Sequence, residues 1–157
     1  MGRVTGTDSR AFSFYMELIL IYFEPSGSGS LLEYFGCIME LLFNTRDELI
    51  KVNLRHVVFF EADDNFTDIH FSNGVKATIL CTLSNMELLI NEKLKGKTNP
   101  FIRTGKCYIV NTSYIFQINT AKKKLLLTNF YYPQLYTLSI SKEALKKLKD
   151  LYLPNKL

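Results

Sequence analysis

The chain has 157 residues, 47% of them hydrophobic and 13% aromatic, which is enough for one domain with a substantial core and argues against global disorder. Its formal net charge is +4 and its sequence pI is near 8.9, values that fit nucleic acid or an anionic membrane surface without selecting either. Three cysteines without a C-x-x-C pair disfavour a disulfide framework and favour reduced, cytosolic thiols.

The first 38 residues differ from the rest of the chain. Residues 1–38 hold two basic and four acidic residues, a net of −2, whereas residues 39–157 hold seventeen basic and eleven acidic residues, a net of +6. A Pro/Gly/Ser stretch, EPSGSGS, is typical of a linker. We therefore predict an N-terminal extension at 1–38 and a basic domain at 39–157, with Met39 as a candidate for the true translation start.

The apolar run AFSFYMELILIYF at 11–23 is the strongest candidate for a membrane or targeting segment. It is shorter than the roughly 18 to 20 residues of a membrane span and carries Glu17. A secretory signal is the minor alternative. We predict a cytoplasmic protein without a membrane partner.

Alternating patterns predict mostly strands from residue 39 onward. MELLFNTRDELIKV indicates a first strand, and Leu49 to Phe60 has a strand pattern. Residues 67–71 alternate, and Asn73-Gly74 is a strong hairpin signal leading into VKATIL at 75–80. Four later segments are rich in β-branched and aromatic residues: CYIVN, SYIFQI, KLLLTNF and LYTLSI.

Two helices are predicted among these strands. Ser84 and Glu87 form a capping-box pattern. The apolar face that follows consists of Met86, Leu89, Ile90 and Leu94. Ser141 is suited to cap KEALKKLKDLY, and the apolar stripe of that helix is Leu145, Leu148 and Tyr152. Because no long helical crossovers separate the strands, the predicted fold class is mainly β, with antiparallel sheets and two short α-helices.

The stretch EADDNFTD at 61–68 is the first candidate site, because it carries four carboxylates. A calcium-binding EF-hand loop starting at Glu61 would need Gly at its sixth position and Glu at its twelfth, where this chain has Phe66 and Ser72. A polar turn between two strands is the favoured interpretation.

Other catalytic and metal patterns are weak. His56 and His70 are isolated residues without zinc-ligand spacing, and Cys107 has no evident base beside it. The chain has no phosphate loop and no dinucleotide fingerprint. We predict no catalytic residue, no metal and no cofactor.

The basic residues favour a nucleic-acid partner. They occur as Lys93, Lys95 and Lys97, as the run Lys122–Lys124, and as Arg103 with Lys106 before a strand. On a β domain without catalytic residues, such groups point to phosphate contacts.

Three segments together resemble one known family, the LytTR DNA-binding domain. VVFFEADDNFTDIHFSNG resembles its opening hairpin, FIRTGKCYIVNTSYIFQI its F-x-R-x-H-R-S-Y-I-V-N signature, and LYTLSISKEALKKLKDLY its closing strand and helix. They occur in the family's order and span roughly residues 39–153. The resemblance implies an elongated stack of antiparallel β-sheets that binds double-stranded DNA through loops in successive major grooves.

The resemblance also places the DNA contacts at three positions along the chain. They are Asn65 and Thr67 after the acidic stretch, Arg103 and Lys106 before the YIVN strand, and Ser141 and Lys142 at the start of the last helix. The family's usual His-Arg-Ser is Gly105-Lys106-Cys107 here. Lysine is a point charge and lacks the bidentate fork of arginine, so phosphate is the expected partner of Lys106.

The function implied by this resemblance is sequence-specific duplex DNA binding by a transcription regulator that is not an enzyme. The alternative is a protein-interaction module on the same fold that no longer binds DNA. Residues 1–38 are too few for a receiver domain, which needs about 100 residues. The resemblance is compatible with a homodimer on direct repeats and with an upstream signalling protein.

Overall fold

The computed structural model describes residues 3–4 and 39–153, so the rest of the predicted N-terminal extension lies outside the described residues. The strands are β1 Arg3–Val4, β2 Glu40–Asn44, β3 Leu49–Asn53, β4 Val57–Asp63, β5 Phe66–Phe71, β6 Lys76–Ile79, β7 Phe101–Thr104, β8 Tyr108–Asn111, β9 Ile115–Asn119, β10 Lys124–Thr128 and β11 Leu135–Ser139. The helices are α1 Leu83–Lys93 and α2 Lys142–Tyr152. The mainly β class with two short helices is confirmed.

A six-stranded sheet in the order β1-β6-β5-β4-β8-β7 is the centre of the fold. All its neighbouring pairs are antiparallel except the two-residue pairing of β1 with β6. A hairpin of β2 and β3 and a three-stranded sheet in the order β11-β10-β9 complete the described strands. Short connections join sequential strands, as expected for antiparallel sheets.

One face of the six-stranded sheet packs on α1 and on the β2–β3 hairpin. The four apolar residues predicted for the first helix are all buried there, together with Phe60 and Ile69 from β4 and β5. Burying each such side chain stabilises the fold by about 1.5 to 3 kcal/mol before entropy is counted.

The other face packs on the three-stranded sheet and α2. A β-bulge between Val57 and Phe59 puts the neighbours Val58 and Phe59 into this same second core. From α2, Leu145 and Leu148 are buried, but Tyr152, predicted to belong to the same stripe, is exposed. α2 therefore has a narrower apolar face than the sequence predicted.

The structure differs from the predicted strands and helices in three places. Leu49 to Phe60 is two strands, because a 3-10 turn at Leu54–His56, capped by the Asn53 side chain, interrupts it. α1 begins after Thr82, whose hydroxyl accepts a hydrogen bond from the Asn85 amide, and so starts before the predicted capping box. β7 was not predicted as a strand.

The described cysteines differ in exposure. Cys81 is buried and Cys107 is exposed, and both are free thiols. Burial raises the pKa of the Cys81 thiol to about 12. Neither α1 nor α2, the α-helices of the described residues, is long and apolar enough to cross a membrane.

Candidate nucleic-acid interface

The β4–β5 turn presents the first predicted contact residue. β4 ends at Asp63 and β5 begins at Phe66, which leaves Asp64 and Asn65 as the turn. Asp64 has a φ of +55°, a left-handed conformation that Asp and Asn tolerate better than most residues. Both residues are exposed, so the Asn65 amide is available to a ligand.

Thr67 is two residues from Asn65, but it lies inside the sheet. Its side chain is 0% exposed, and its hydroxyl donates a 2.6 Å hydrogen bond to the carbonyl oxygen of Cys81. This bond joins the hairpin to the segment that leads into α1. The structure therefore gives the Thr67 side chain a positioning role and no access to a ligand.

The β7–β8 turn, Gly105–Cys107, presents the second predicted contact. Gly105 has a φ of +70°, which favours glycine because any Cβ is strained in this conformation. Lys106 and Cys107 follow it, and both are exposed. The described residues offer no ion-pair partner for the Lys106 ammonium group.

The Arg103 side chain stabilises this turn through hydrogen bonds. Its guanidinium donates to the carbonyl oxygen of Lys106 from Nη2 at 2.7 Å and to that of Gly105 from Nε at 3.3 Å. Its Nη1 lies 3.3 Å from Oε2 of Glu87 on α1. Arginine suits this position because its planar fork offers several fixed donors. The resemblance implied that Arg103 faces DNA, but the structure has its donors pointing at the turn and α1.

The start of α2 presents the third predicted contact. Ser141 is the N-cap, as predicted, and its Oγ accepts a 3.3 Å hydrogen bond from the amide of Ala144. Lys142 is the first residue of the helix and is exposed. Free amides and the helix dipole attract an anion to this end, and the exposed Glu143 carboxylate in the same first turn opposes it.

These three positions lie together at one end of the six-stranded sheet. The amide of Ala62 at the end of β4 donates to the carbonyl oxygen of Cys107 at 2.8 Å, which joins the first two turns. A Cβ on Gly105 would lie 3.9 Å from Cβ of Ala144, so the second turn contacts the first turn of α2. We call Asp64–Asn65, Gly105–Cys107 and Ser141–Lys142 the turn cluster.

Two of the four carboxylates of the acidic stretch, Glu61 and Asp68, are hydrogen-bonded on the sheet. Asp68 accepts from Lys76 Nζ at 2.9 Å and from the Thr78 hydroxyl at 2.5 Å. Burial raises the Asp68 pKa, but the hydrogen bonds from Lys76 and Thr78 outweigh it, and the net pKa is lowered. The bond to Asp68 in turn raises the pKa of Lys76. The charge of Asp68 is thus balanced within the sheet.

Glu61 and His70 form the other half of this polar network. His70 Nε2 lies 3.0 Å from Oε2 of Glu61, and its ring stacks on Phe59 with centroids 4.1 Å apart. Burial lowers the His70 pKa, although the hydrogen bond to Glu61 acts in the opposite direction. The Tyr108 hydroxyl lies 3.4 Å from Oε1 of Glu61, and its pKa is raised by burial and by this carboxylate.

Glu61, Asp68 and His70 also form the group nearest to a metal site in the described residues, with candidate ligand atoms within 4.8 Å of one another. Each of these atoms already has a protein partner, and Lys76 supplies the cation. The arrangement is a satisfied hydrogen-bond network, which accounts for Glu61 and Asp68, two of the four carboxylates in the stretch, without a ligand.

The supporting contacts were not predicted. Glu87 on α1 and Ala144 on α2 are remote in sequence from the turn they contact, so no short-range pattern indicates them. The one local signal is Gly105 two residues after Arg103, which indicates a tight turn.

Comparisons with known proteins identify a family and a fold. The family model described as the LytTr DNA-binding domain matches residues 47–152. A solved LytTr DNA-binding domain from Bacillus cereus has the same fold, with a TM-score of 0.52 and 22% sequence identity over 73% of this chain and 96% of that one. No curated protein sequence matches significantly.

The family is one of DNA-binding domains and not of enzymes. Because its model covers about two thirds of the sequence, from the β2–β3 turn to the end of α2, this chain belongs to the LytTr DNA-binding domain family.

Proposed function

We propose that the chain is a sequence-specific transcription regulator and that the turn cluster is its contact surface on duplex DNA. The observation that carries this proposal is the meeting of three turns, distant in sequence, at one end of the sheet. Each turn presents an exposed polar or cationic side chain: Asn65, Lys106 or Lys142. Turns projecting from a sheet can enter the major groove, which is about 12 Å wide.

The three exposed side chains offer two kinds of recognition chemistry, that of an asparagine amide and that of a lysine ammonium group. An Asn amide can contact adenine through N6 and N7, and Lys can donate to guanine O6 and N7 or to phosphate. Asn65 is thus suited to adenine, and Lys106 and Lys142 are suited to guanine or to phosphate. Ser141 and the free amides at the start of α2 are suited to phosphate.

The supporting contacts set the geometry of the interface. The three donor contacts of Arg103 hold the β7–β8 turn, and the buried Thr67 hydroxyl holds the β4–β5 hairpin. A braced turn loses little conformational entropy on binding, so more of its contact energy appears as affinity. We assign Arg103 and Thr67 to positioning, and Asn65, Lys106, Ser141 and Lys142 to contact.

Dimerisation on direct repeats and control by a signalling protein are part of this proposal. Two linked contact surfaces would raise affinity through effective concentration without a new contact within either domain. Sedimentation of the protein with duplexes that carry one or two sites tests the dimer.

The first experiment is selection of the full chain against a pool of random duplexes, followed by affinity measurements. Lys106→Gln with Lys142→Gln is the test variant. Arg46→Gln with Arg55→Gln is the matched control of equal charge, because both arginines are exposed, lie outside the turn cluster and have no ion pair among the described residues. We expect an enriched motif, about a 100-fold loss of affinity for that motif in the test variant, and a much smaller loss in the control.

Equal losses in the two variants would show that only overall charge matters and would contradict sequence-specific readout. Absence of an enriched motif, with weak binding even at low salt, would favour the protein-interaction alternative.

Cys107 offers an independent test, because it is exposed within the turn cluster. A maleimide pulse followed by peptide mapping should label Cys107 quickly in the free protein and slowly on the selected duplex. Cys81, buried and with a raised pKa, should react slowly in both states and serves as the internal reference. Equal Cys107 labelling with and without DNA would place the duplex elsewhere.

A further inference from the structure

The β9–β10 turn and the first residue of β10 carry three consecutive lysines that the three predicted contact positions do not include. We call Thr120–Lys124 the lysine turn. The β9–β10 turn is formed by Thr120–Lys123, and Lys122, Lys123 and Lys124 are all exposed. Asn119 Oδ1 accepts a 2.9 Å hydrogen bond from the Lys122 amide, and Lys123 has a φ of +54°. The turn therefore has a defined backbone that fixes where the lysines project.

This turn lies beside the start of α2. The amide of Ile140 donates a 3.0 Å hydrogen bond to the carbonyl oxygen of Lys123, and Lys124 pairs with Ser139 in the sheet. The segment that leads into α2 is thus bonded to the lysine turn, while Ala144 on α2 contacts Gly105. The start of α2 is flanked by the lysine turn and by the β7–β8 turn.

The lysine charges have no local compensation. Among the described residues, none of the three ammonium groups lies in an ion pair. Three like charges on adjacent residues repel one another, and a polyanion would relieve that repulsion. Their side chains have neither the fork of arginine nor a bracing partner, which favours phosphate over a base edge.

We propose that Lys122, Lys123 and Lys124 form a fourth contact, with the sugar–phosphate backbone beside the groove that the turn cluster enters. This inference rests on the proposed function, since it adds a phosphate-binding element next to the base-reading turns. The lysine turn raises affinity for every duplex and orients α2, and it does not select sequence.

The test uses Lys122→Gln with Lys124→Gln in the full chain, with Arg46→Gln and Arg55→Gln as the control. Lys123 is kept, because its backbone is left-handed and its carbonyl holds Ile140. Affinity is measured across a salt series for the selected duplex and for an unrelated one. The plot of log binding constant against log salt concentration has a negative slope. Loss of two phosphate contacts should reduce the magnitude of this slope by about 1.8 and lower the affinity by about 30-fold at 0.15 M salt.

We expect the same loss on both duplexes and an unchanged selected motif. If the wild type selects a motif and the lysine variant behaves like the control, this inference is wrong and the proposed function stands. If the variant selects a different motif, the turn reads bases and the phosphate role is wrong. If the wild type binds no duplex, the proposed function and this inference both fail.

Discussion

The two ends of the six-stranded sheet differ in the side chains that they expose. The β4–β5 and β7–β8 turns lie at one end, with exposed Asn65 and Lys106. The β5–β6 turn and the β10–β11 loop lie at the other end. The loop, Asn129–Gln134, exposes Phe130 at 88% and Tyr131 at 92%. Both ends use a left-handed glycine and a side chain that donates to a backbone carbonyl. The surfaces they present differ. The first end exposes Asn65 and the cations Lys106 and Lys142 beside the carboxylate of Asp64, and the second exposes aromatic rings.

The two ends show that the contacts stabilising a turn are independent of the side chains that the turn exposes. Arg103 donates to Gly105 and Lys106 at the first end, and the Tyr136 hydroxyl donates a 2.7 Å hydrogen bond to Phe71 at the second. Bracing is therefore not specific to a binding surface. What distinguishes the turn cluster is that Lys106 and Lys142 have no ion-pair partner among the described residues. Unpaired cations on a braced backbone favour binding a polyanion.

The largest contrast is expected from removing the brace at each end. Arg103→Ala should lower affinity for the selected duplex by roughly 30-fold, because the turn loosens and Glu87 loses its cation. Tyr136→Phe removes one hydrogen bond at the other end and should cost about 1 kcal/mol of unfolding free energy with unchanged DNA affinity. Denaturant melts and titrations of both variants check this, and a DNA defect in Tyr136→Phe would break the contrast.

A smaller contrast is expected from the two glycines. Gly105→Ala and Gly74→Ala both place a Cβ on a backbone with φ of +70° and +86°, which should cost about 1 to 2 kcal/mol of stability each. Only Gly105→Ala should also weaken DNA binding, by about tenfold, since its turn carries Lys106. Urea melts measure the stability of both variants. Equal affinity of the two variants for the selected duplex would contradict the prediction, because it would show that the shape of the β7–β8 turn does not affect DNA binding.

A pH dependence is expected from His70, which lies between the ends. Burial lowers its folded pKa below the usual 6.5, so the unfolded chain binds the proton more readily and stability falls as pH drops below about 6.5. His70→Gln keeps a donor for Glu61 and removes the titration, so its unfolding free energy should change less between pH 7 and pH 5. Asp68, whose pKa is lowered by its hydrogen bonds, loses its contribution to stability only below the usual aspartate pKa of 3.8 and does not obscure this window. Parallel pH profiles of the two proteins would contradict the prediction.

The smallest effect is expected at the aromatic loop. Phe130→Ser with Tyr131→Ser should change the unfolding free energy by no more than about 0.5 kcal/mol and leave DNA affinity unchanged, because both rings are almost fully exposed. Thermal melts and DNA titrations check this. A large loss of stability would show that the Phe116–Phe130 ring contact, with centroids 6.3 Å apart, contributes more than its exposure suggests.

The sequence predicted those features that depend on neighbouring residues. The Ser141 cap and the α2 boundaries follow from a local pattern of cap, charge and apolar spacing, and the order of three motifs indicated the family. The break at Leu54–His56 was missed, because the alternation of Ile50, Val52 and Leu54 leads directly toward the apolar VVFF and no Gly or Pro marks an interruption.

The candidate site was predicted as positions along the chain but not as an arrangement. From the sequence, Thr67 and Arg103 were indistinguishable from Asn65 and Lys106, since all four are polar residues in or near turns. The Thr67 hydroxyl bonds to Cys81 and Arg103 Nη1 pairs with Glu87, partners that are 14 and 16 residues away in sequence. The other two Arg103 donors bond within its own turn, to Gly105 and Lys106.

The sequence by itself determined the strand-rich class, the α2 helix and its cap, and the residue types of the turns, because hydrophobic period, capping and turn chemistry act over a few residues. The tertiary structure alone decided that three turns and the lysine turn meet at one end of the sheet. It also decided which polar side chains brace that end and which remain exposed. Those outcomes depend on strand register and on contacts between residues distant in sequence, which no local pattern encodes.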